Sequence, residues 1–100
     1  MTIAIDIDGT FDKDKEFWLT VMLMAMIRNH RVIVVTGSKQ PQDKIESLSL
    51  QTAIILTCQP GEFKKDCALR HGYSVSVWID NEPGTIEPSK ILPDSPSSSL

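Results

Sequence analysis

The sequence predicts an α/β fold: one domain in which a parallel sheet lies between helices, a three-layer α/β/α sandwich. Three observations point there. Short apolar runs alternate with stretches of helical composition along the chain. One of those runs, "VIVV" within Arg31–Thr36, is apolar at consecutive positions, the mark of a strand covered on both faces. The connections between runs are short, which suits right-handed β-α-β crossovers in a chain of 100 residues.

Each element has its own reason. "TIAIDI", Thr2–Ile7, alternates and reads as the first strand. "KEFWLTVMLMAMIRN", Lys15–Asn29, holds no Gly or Pro and is rich in Met, Leu and Ala, so it reads as a helix. "RVIVVT" is the second strand. "PQDKIESLSL", Pro41–Leu50, reads as a helix with Pro in its first turn. "TAIILT", Thr52–Thr57, is the third strand, and "GEFKKDCALRHG" is a helix stopped by Gly72. "SVSVWID", Ser74–Asp80, is the fourth strand. The domain is expected over residues 1–92, followed by a Ser/Pro-rich tail, residues 93–100, whose composition predicts disorder. The order β-α-β-α-β-α-β is that of a Rossmann-like sheet.

Composition narrows the function. At 41% apolar and 23% charged residues the chain is an ordinary globular one, and its net charge of −3 argues against non-specific binding to nucleic acid or an anionic membrane. The most membrane-like run, Phe17–Ile27, has eleven residues, too few to span hydrocarbon. No secretory leader is visible, so a cytoplasmic location is expected. Cys58 and Cys67 lack CxxC or His/Cys ligand spacing, which argues against a zinc site; they read as buried thiols in a reducing compartment. The first helix is apolar nearly all round, which predicts either unusually deep burial or a surface for a second copy of the chain, with Trp18, Met22, Met26 or their neighbours exposed.

Chemistry gathers at the strand ends. Ligands of open parallel sheets bind beyond the carboxyl ends of the strands. The first strand ends in Asp6-Ile7-Asp8-Gly9-Thr10, the second in Thr36-Gly37-Ser38 and the fourth in Asp80-Asn81-Glu82, while Lys64 and Lys65 open the helix between the third and fourth. Asp6, Asp8 and Asp80 together suit a hard cation such as Mg²⁺, which relieves their mutual repulsion. Thr36, the backbone N–H groups near Gly37 and a lysine suit phosphate oxygens. Period-two geometry sends Asp6 and Asp8 to the same side of the strand, and Gly9 lets the chain turn away.

In this order the motifs resemble those of the haloacid dehalogenase superfamily of phosphohydrolases. "AIDIDGT" is similar to its first motif, "VIVVTG" to its second, "FKKD" stands where the third places a lysine, and "SVWIDNE" is similar to the fourth. The resemblance covers Met1 to about Ile86. It implies Asp6 as a nucleophile that takes the phosphoryl group and Asp8 as general acid and base. It implies Thr36 as a hydrogen-bond donor to the transferring phosphoryl group, and Lys64 or Lys65 between phosphate and nucleophile; Lys64 is assigned that catalytic place. Gly9, Thr10, Gly37 and Lys65 become substrate contacts. Mg²⁺ would be held by Asp6, Asp80 and the backbone carbonyl of Asp8, with Glu82 a further acid nearby. The second acid at Asp8 favours a phosphatase over a dehalogenase. With about six residues between Asp8 and the first helix, the member is expected to be capless. The expected substrate is a phosphorylated small molecule. Two other readings compete: a non-catalytic phosphate-binding module of the same fold, and a phosphatase of nucleic-acid ends. The basic residues Arg28, His30, Arg31, Arg70 and His71 raise the last, although cations at helix ends are ordinary.

Overall fold

The computed structural model of the chain describes residues 1–88. Four strands, β1 (Thr2–Ile5), β2 (Arg31–Thr36), β3 (Ile54–Thr57) and β4 (Val77–Ile79), form one sheet in the order β3-β2-β1-β4. Every pairing is parallel: Ile5 lies opposite Val34 and Ile79, and Thr36 opposite Thr57. Helices α1 (Lys15–Ile27), α2 (Gln42–Ser47) and α3 (Lys64–Arg70) alternate with the strands, as in Rossmann-like folds. The tail expected to be disordered, residues 93–100, and the domain's expected end at residue 92 lie outside the described residues.

Strand β2 is the spine. Val32 and Val34 pack into one core with Ile5, Ile7, Phe11, Ala25 and Leu50, while Ile33 and Val35 pack into another with Ala4, Leu56, Cys67 and Ala68. A side chain of that size contributes about 1.5–3 kcal/mol when fully buried, so β2 alone anchors both faces. The first core takes its helical residues from α1 and α2, the second from α3.

The three helices end alike, and each ending feeds a strand. A left-handed residue follows each: Asn29 (φ 64°), Ser49 (φ 60°) and Gly72 (φ 90°). The paired closing bonds are those of a Schellman cap, for example His30 N–H to Ala25 O at 2.9 Å and Asn29 N–H to Met26 O at 3.0 Å. Gly72 therefore stops α3 as its sequence position predicts. Regular structure is shorter than expected at several ends: β1 stops at Ile5, α2 at Ser47, and β4 begins only at Val77.

Helix α1 starts where Asp14 accepts a hydrogen bond from Phe17 N–H at 3.2 Å. Only Ala25 of this helix is fully buried, while Phe17, Leu23, Met24, Met26 and Ile27 are each more than half exposed. The apolar outer face expected from the sequence is present. Trp18 and Met22 are not on it; they pack against the core, and Met26 is exposed. Among the described residues no helix is long and apolar enough to cross a membrane.

Candidate active site

The site begins where β1 stops. Asp6 N–H still donates to Ile79 O at 3.0 Å, so Asp6 is held at the carboxyl edge of the sheet. The chain then winds into a turn, with Thr10 N–H and Asp12 N–H both donating to Ile7 O. Phe11, fully buried, pins this loop to the core. The strand ends at Ile5 and not at Ile7, so the alternation expected to send Asp6 and Asp8 to the same side does not run as far as Asp8. The turn separates the two acids: Asp6 is buried, whereas the Asp8 side chain is 55% exposed.

Asp6 faces α3. Lys64, the first residue of that helix, places Nζ 2.7 Å from Asp6 Oδ1 and 2.7 Å from Asp80 Oδ2. All three side chains are buried. The adjacent Lys65 turns away, its Nζ 3.0 Å from Glu87 and its N–H on Ile86 O. Of the two candidate lysines, Lys64 is therefore the one brought to the acids, and Lys65 is not brought to this site. Burial alone would depress the Lys64 ammonium; the hydrogen bonds it donates to Asp6 and Asp80 outweigh it and raise its pKa. Asp6 moves toward its neutral form, because burial outweighs its single ammonium partner. Formally, one ammonium for two carboxylates leaves the trio with an excess negative charge.

Asp8 faces α2. Lys44 Nζ is paired with Asp8 Oδ1 and lies 3.6 Å from Asp12 Oδ2. Gln40 Nε2 donates to Asp8 Oδ2 at 3.0 Å and to Thr36 Oγ1 at 3.1 Å. The hydrogen bond from Lys44 holds the Asp8 carboxyl below the usual carboxylate range, and Asp8 in turn raises Lys44. Thr36 Oγ1 donates to Ser38 O at 3.0 Å, so its hydroxyl is fixed by the loop after β2. Gln40 and Lys44 were not singled out in the sequence. They sit in a stretch that reads as a loop and a solvated helix, and only the folded topology brings them to Asp8.

The cation expectation can be tested on the oxygens present. The Asn81 side-chain amide, with its nitrogen toward the acids, donates to Asp8 O at 3.1 Å and to Asp6 Oδ2 at 3.0 Å. One polar hydrogen-bearing group thus sits where a carboxylate oxygen and the Asp8 carbonyl converge, with Asp80 reached through Lys64. Oxygen donors of this kind are the ones Mg²⁺ takes, but among the described residues Asp6, Asp8 and Asp80 do not converge as a group of three ligand side chains, and the Lys64 ammonium lies between Asp6 and Asp80. The Asp8 carboxylate, pointed at Lys44, is not part of that set; its backbone carbonyl is. Gly9 makes the approach of Asn81 feasible: its φ is +85°, and a Cβ there would lie 2.4 Å from the end of the Asn81 amide.

Asp6, Asp8, Gly37, Lys64 and Glu82 border a cleft of about 290 Å³. Gly9 and Thr10 line a separate shallow depression on the far side of Asp80 and Asn81, floored by Trp18 and Ile79. The loops after β1 and β3 are short, and among the described residues no inserted domain stands over the rim. Four of the five basic residues are engaged elsewhere: His30 Nδ1 lies 3.0 Å from the N-terminal amine, Arg31 stacks over Tyr73, Arg70 pairs with Glu62, and His71 Nδ1 lies 2.9 Å from Cys67 O. No protein-family model, curated protein or solved structure matches this chain.

Proposed function

We propose that this protein is a small, capless phosphohydrolase of the haloacid dehalogenase type, cleaving a phosphomonoester at the Asp6–Asp8–Lys64–Asp80 rim. The observation that carries the reading is Lys64 Nζ at 2.7 Å from both Asp6 and Asp80, which unites three segments distant in sequence. Gln40 adds the fourth by bridging Thr36 to Asp8.

In this mechanism an Asp6 oxygen attacks phosphorus, and the bond from phosphorus to the ester oxygen breaks. Asp8 gives its proton to that leaving oxygen. The now ionised Asp8 takes a proton from a water, whose oxygen attacks the aspartyl-phosphate; inorganic phosphate leaves and Asp6 is restored. Lys64 orients Asp6 and offsets charge on the transferring group. The N–H groups beside Gly37 would donate to phosphoryl oxygens, and the Thr36 hydroxyl would do so only by giving up its bond to Ser38 O. Mg²⁺, held by Asp6, Asp80 and the Asp8 carbonyl, would supply electrostatic shielding between the anionic ester and its carboxylate attacker.

Because among the described residues no domain covers the cleft, the reading favours a phosphorylated small molecule bound largely through its phosphate, or a bulkier ester that supplies its own cover. A second copy docked on the exposed face of α1 is part of the proposal, but mostly not as a lid. Helix α1 follows the loop that carries Asp8, and Leu23 to Ile27 lie about 9–15 Å further along it than Phe17, at about 1.5 Å per residue.

The test is hydrolysis of p-nitrophenyl phosphate with Mg²⁺ by the wild-type chain and by Asp6→Asn. Turnover that needs Mg²⁺ and falls to background in Asp6→Asn is the expected result. A folded wild-type chain that binds phosphate without turning over any generic ester would instead favour the non-catalytic module.

A further inference from the structure

Behind the cleft wall, the end of β3 and the start of α3 gather three side chains that the proposed reaction does not use. Cys58 directly follows β3, Glu62 lies in the loop before α3, and Cys67 is one turn beyond Lys64. Both cysteines are free and buried. The two Sγ atoms and a Glu62 carboxylate oxygen all lie within 4.8 Å of one another. Around a tetrahedral zinc, with Zn–S near 2.3 Å and Zn–O near 2.1 Å, the sulfur–sulfur and sulfur–oxygen separations are about 3.6–3.8 Å, so no pair needs to close by more than about 1.2 Å.

We propose that Cys58, Glu62 and Cys67 form a binding site for a thiophilic divalent cation of the zinc class, separate from the Mg²⁺ position proposed at Asp6 and Asp80. Ligand softness separates the two: thiolates select zinc-class ions, while carboxylates and carbonyls select magnesium. Charge also closes. A divalent ion, two thiolates, the Glu62 carboxylate and the Arg70 guanidinium sum to zero.

The surroundings are those of a supported ligand set. Arg70 clamps Glu62 through Nε to Oε2 and Nη2 to Oε1, each at 2.9 Å, and Gln59 N–H adds a third bond to Oε1 at 2.9 Å. Such outer partners orient a ligating carboxylate. Glu62 also borders the cleft, which gives the ion an entry path and leaves a fourth position for water. Without metal, burial and the neighbouring Cys67 push the Cys58 thiol up to about 12. Binding replaces the two thiol protons, which pass to solvent, with one divalent ion. The ion would tie the end of β3 to α3 one turn from Lys64. This inference stands apart from the phosphatase reading, since none of its ligands takes part in that chemistry.

The experiment is a Co²⁺ titration of the full chain with a non-thiol reductant and excess Mg²⁺. A sulfur-to-cobalt charge-transfer absorption should reach its plateau at one equivalent and disappear when Zn²⁺ is added. Cys58→Ser and Cys67→Ser should abolish the band, Glu62→Gln should weaken Co²⁺ binding by about tenfold or more, and Asp6→Asn should leave it intact. Should a cysteine variant fail to fold, protection decides the matter: Zn²⁺ should block alkylation of both thiols in the wild-type chain. Absence of the band and of protection overturns the proposal. So does a band that survives in a cysteine variant, or one lost in folded Asp6→Asn.

Discussion

Lys64→Met offers the sharpest test of how the rim is built. The substitution keeps the side-chain length and removes the ammonium between Asp6 and Asp80, whose side chains are 7% and 1% exposed. Breaking a buried ion pair from one side costs about 3–5 kcal/mol, because the remaining charge is stranded. That is a large share of the roughly 5–15 kcal/mol that holds a domain of this size together. With a urea slope of about 1.5 kcal/mol/M, the unfolding midpoint should fall by about 2–3 M in metal-free buffer near neutral pH.

The sign with pH follows from Asp6. Burial already raises its carboxyl above the ordinary 3.8, against the pull of Lys64. Without the lysine it rises further. A carboxyl raised in the folded state destabilises the fold as pH climbs from the unfolded value through the folded one. The deficit of Lys64→Met should therefore shrink as pH is lowered from about 7 toward 4. Mg²⁺ should restore more stability to the variant than to the wild type, because it neutralises the same carboxylates, and adding Asp80→Asn should recover part of the loss. Urea unfolding followed by circular dichroism reads all of this. A midpoint within about 0.3 M of wild type near pH 7, or a deficit that grows on acidification, refutes the reasoning.

Three further outcomes follow from the geometry. Gly9→Ala places a Cβ against Asn81 at φ +85°, so it should cost about 1–2 kcal/mol from the backbone alone and weaken Mg²⁺ binding, read by urea unfolding and calorimetric titration; wild-type values in both would remove the role given to Gly9. Lys44→Met should raise the Asp8 carboxyl toward its ordinary 3.8, visible as a shifted carboxyl titration by NMR. Since a depressed carboxyl adds stability above its unfolded value and loses it as pH falls, the variant should also lose less stability on acidification than wild type; an unmoved titration would show that Lys44 is not the cause. If the outer face of α1 holds a second copy, sedimentation should show a concentration-dependent dimer that Leu23→Glu with Met26→Glu dissolves, and a wild-type chain that stays monomeric at high concentration would exclude it.

What the sequence made legible was whatever depends on local pattern. Val32 to Val35 could be read as a doubly covered strand because apolar side chains leave it on both faces, and that placed β2 at the centre of the sheet. Asp6, Thr36, Lys64 and Asp80 were legible because each closes or follows a strand, and a parallel sheet delivers all such ends to one rim. Gln40, Lys44 and Asn81 were not, because their importance lies in long-range contacts made by residues of unremarkable local type. Lys44 meets Asp8 across 36 residues, and Asn81 reaches Asp6 only because Gly9 has no side chain. The Cys58–Glu62–Cys67 trio was hidden for a similar reason: its spacing follows no ligand motif, and helix α3 creates the proximity.

The two acids of the first motif show why identical residues can be given different work. In the ligand-free chain each is biased against its proposed task. Asp6, the proposed nucleophile, is pushed toward its neutral form by burial, and Asp8, the proposed acid, is held ionised by Lys44. Positive charge supplied beside Asp6 lowers its pKa and makes it a nucleophile. A phosphate dianion entering the cleft repels the Asp8 carboxylate and competes for Lys44, and both effects raise Asp8 toward protonation. On the proposed reading, then, the proton on Asp8 is not stored in the fold. It is drawn in by the same charged group that Asp6 attacks, so an uncharged ester offered to this site would lack its acid as well as its grip.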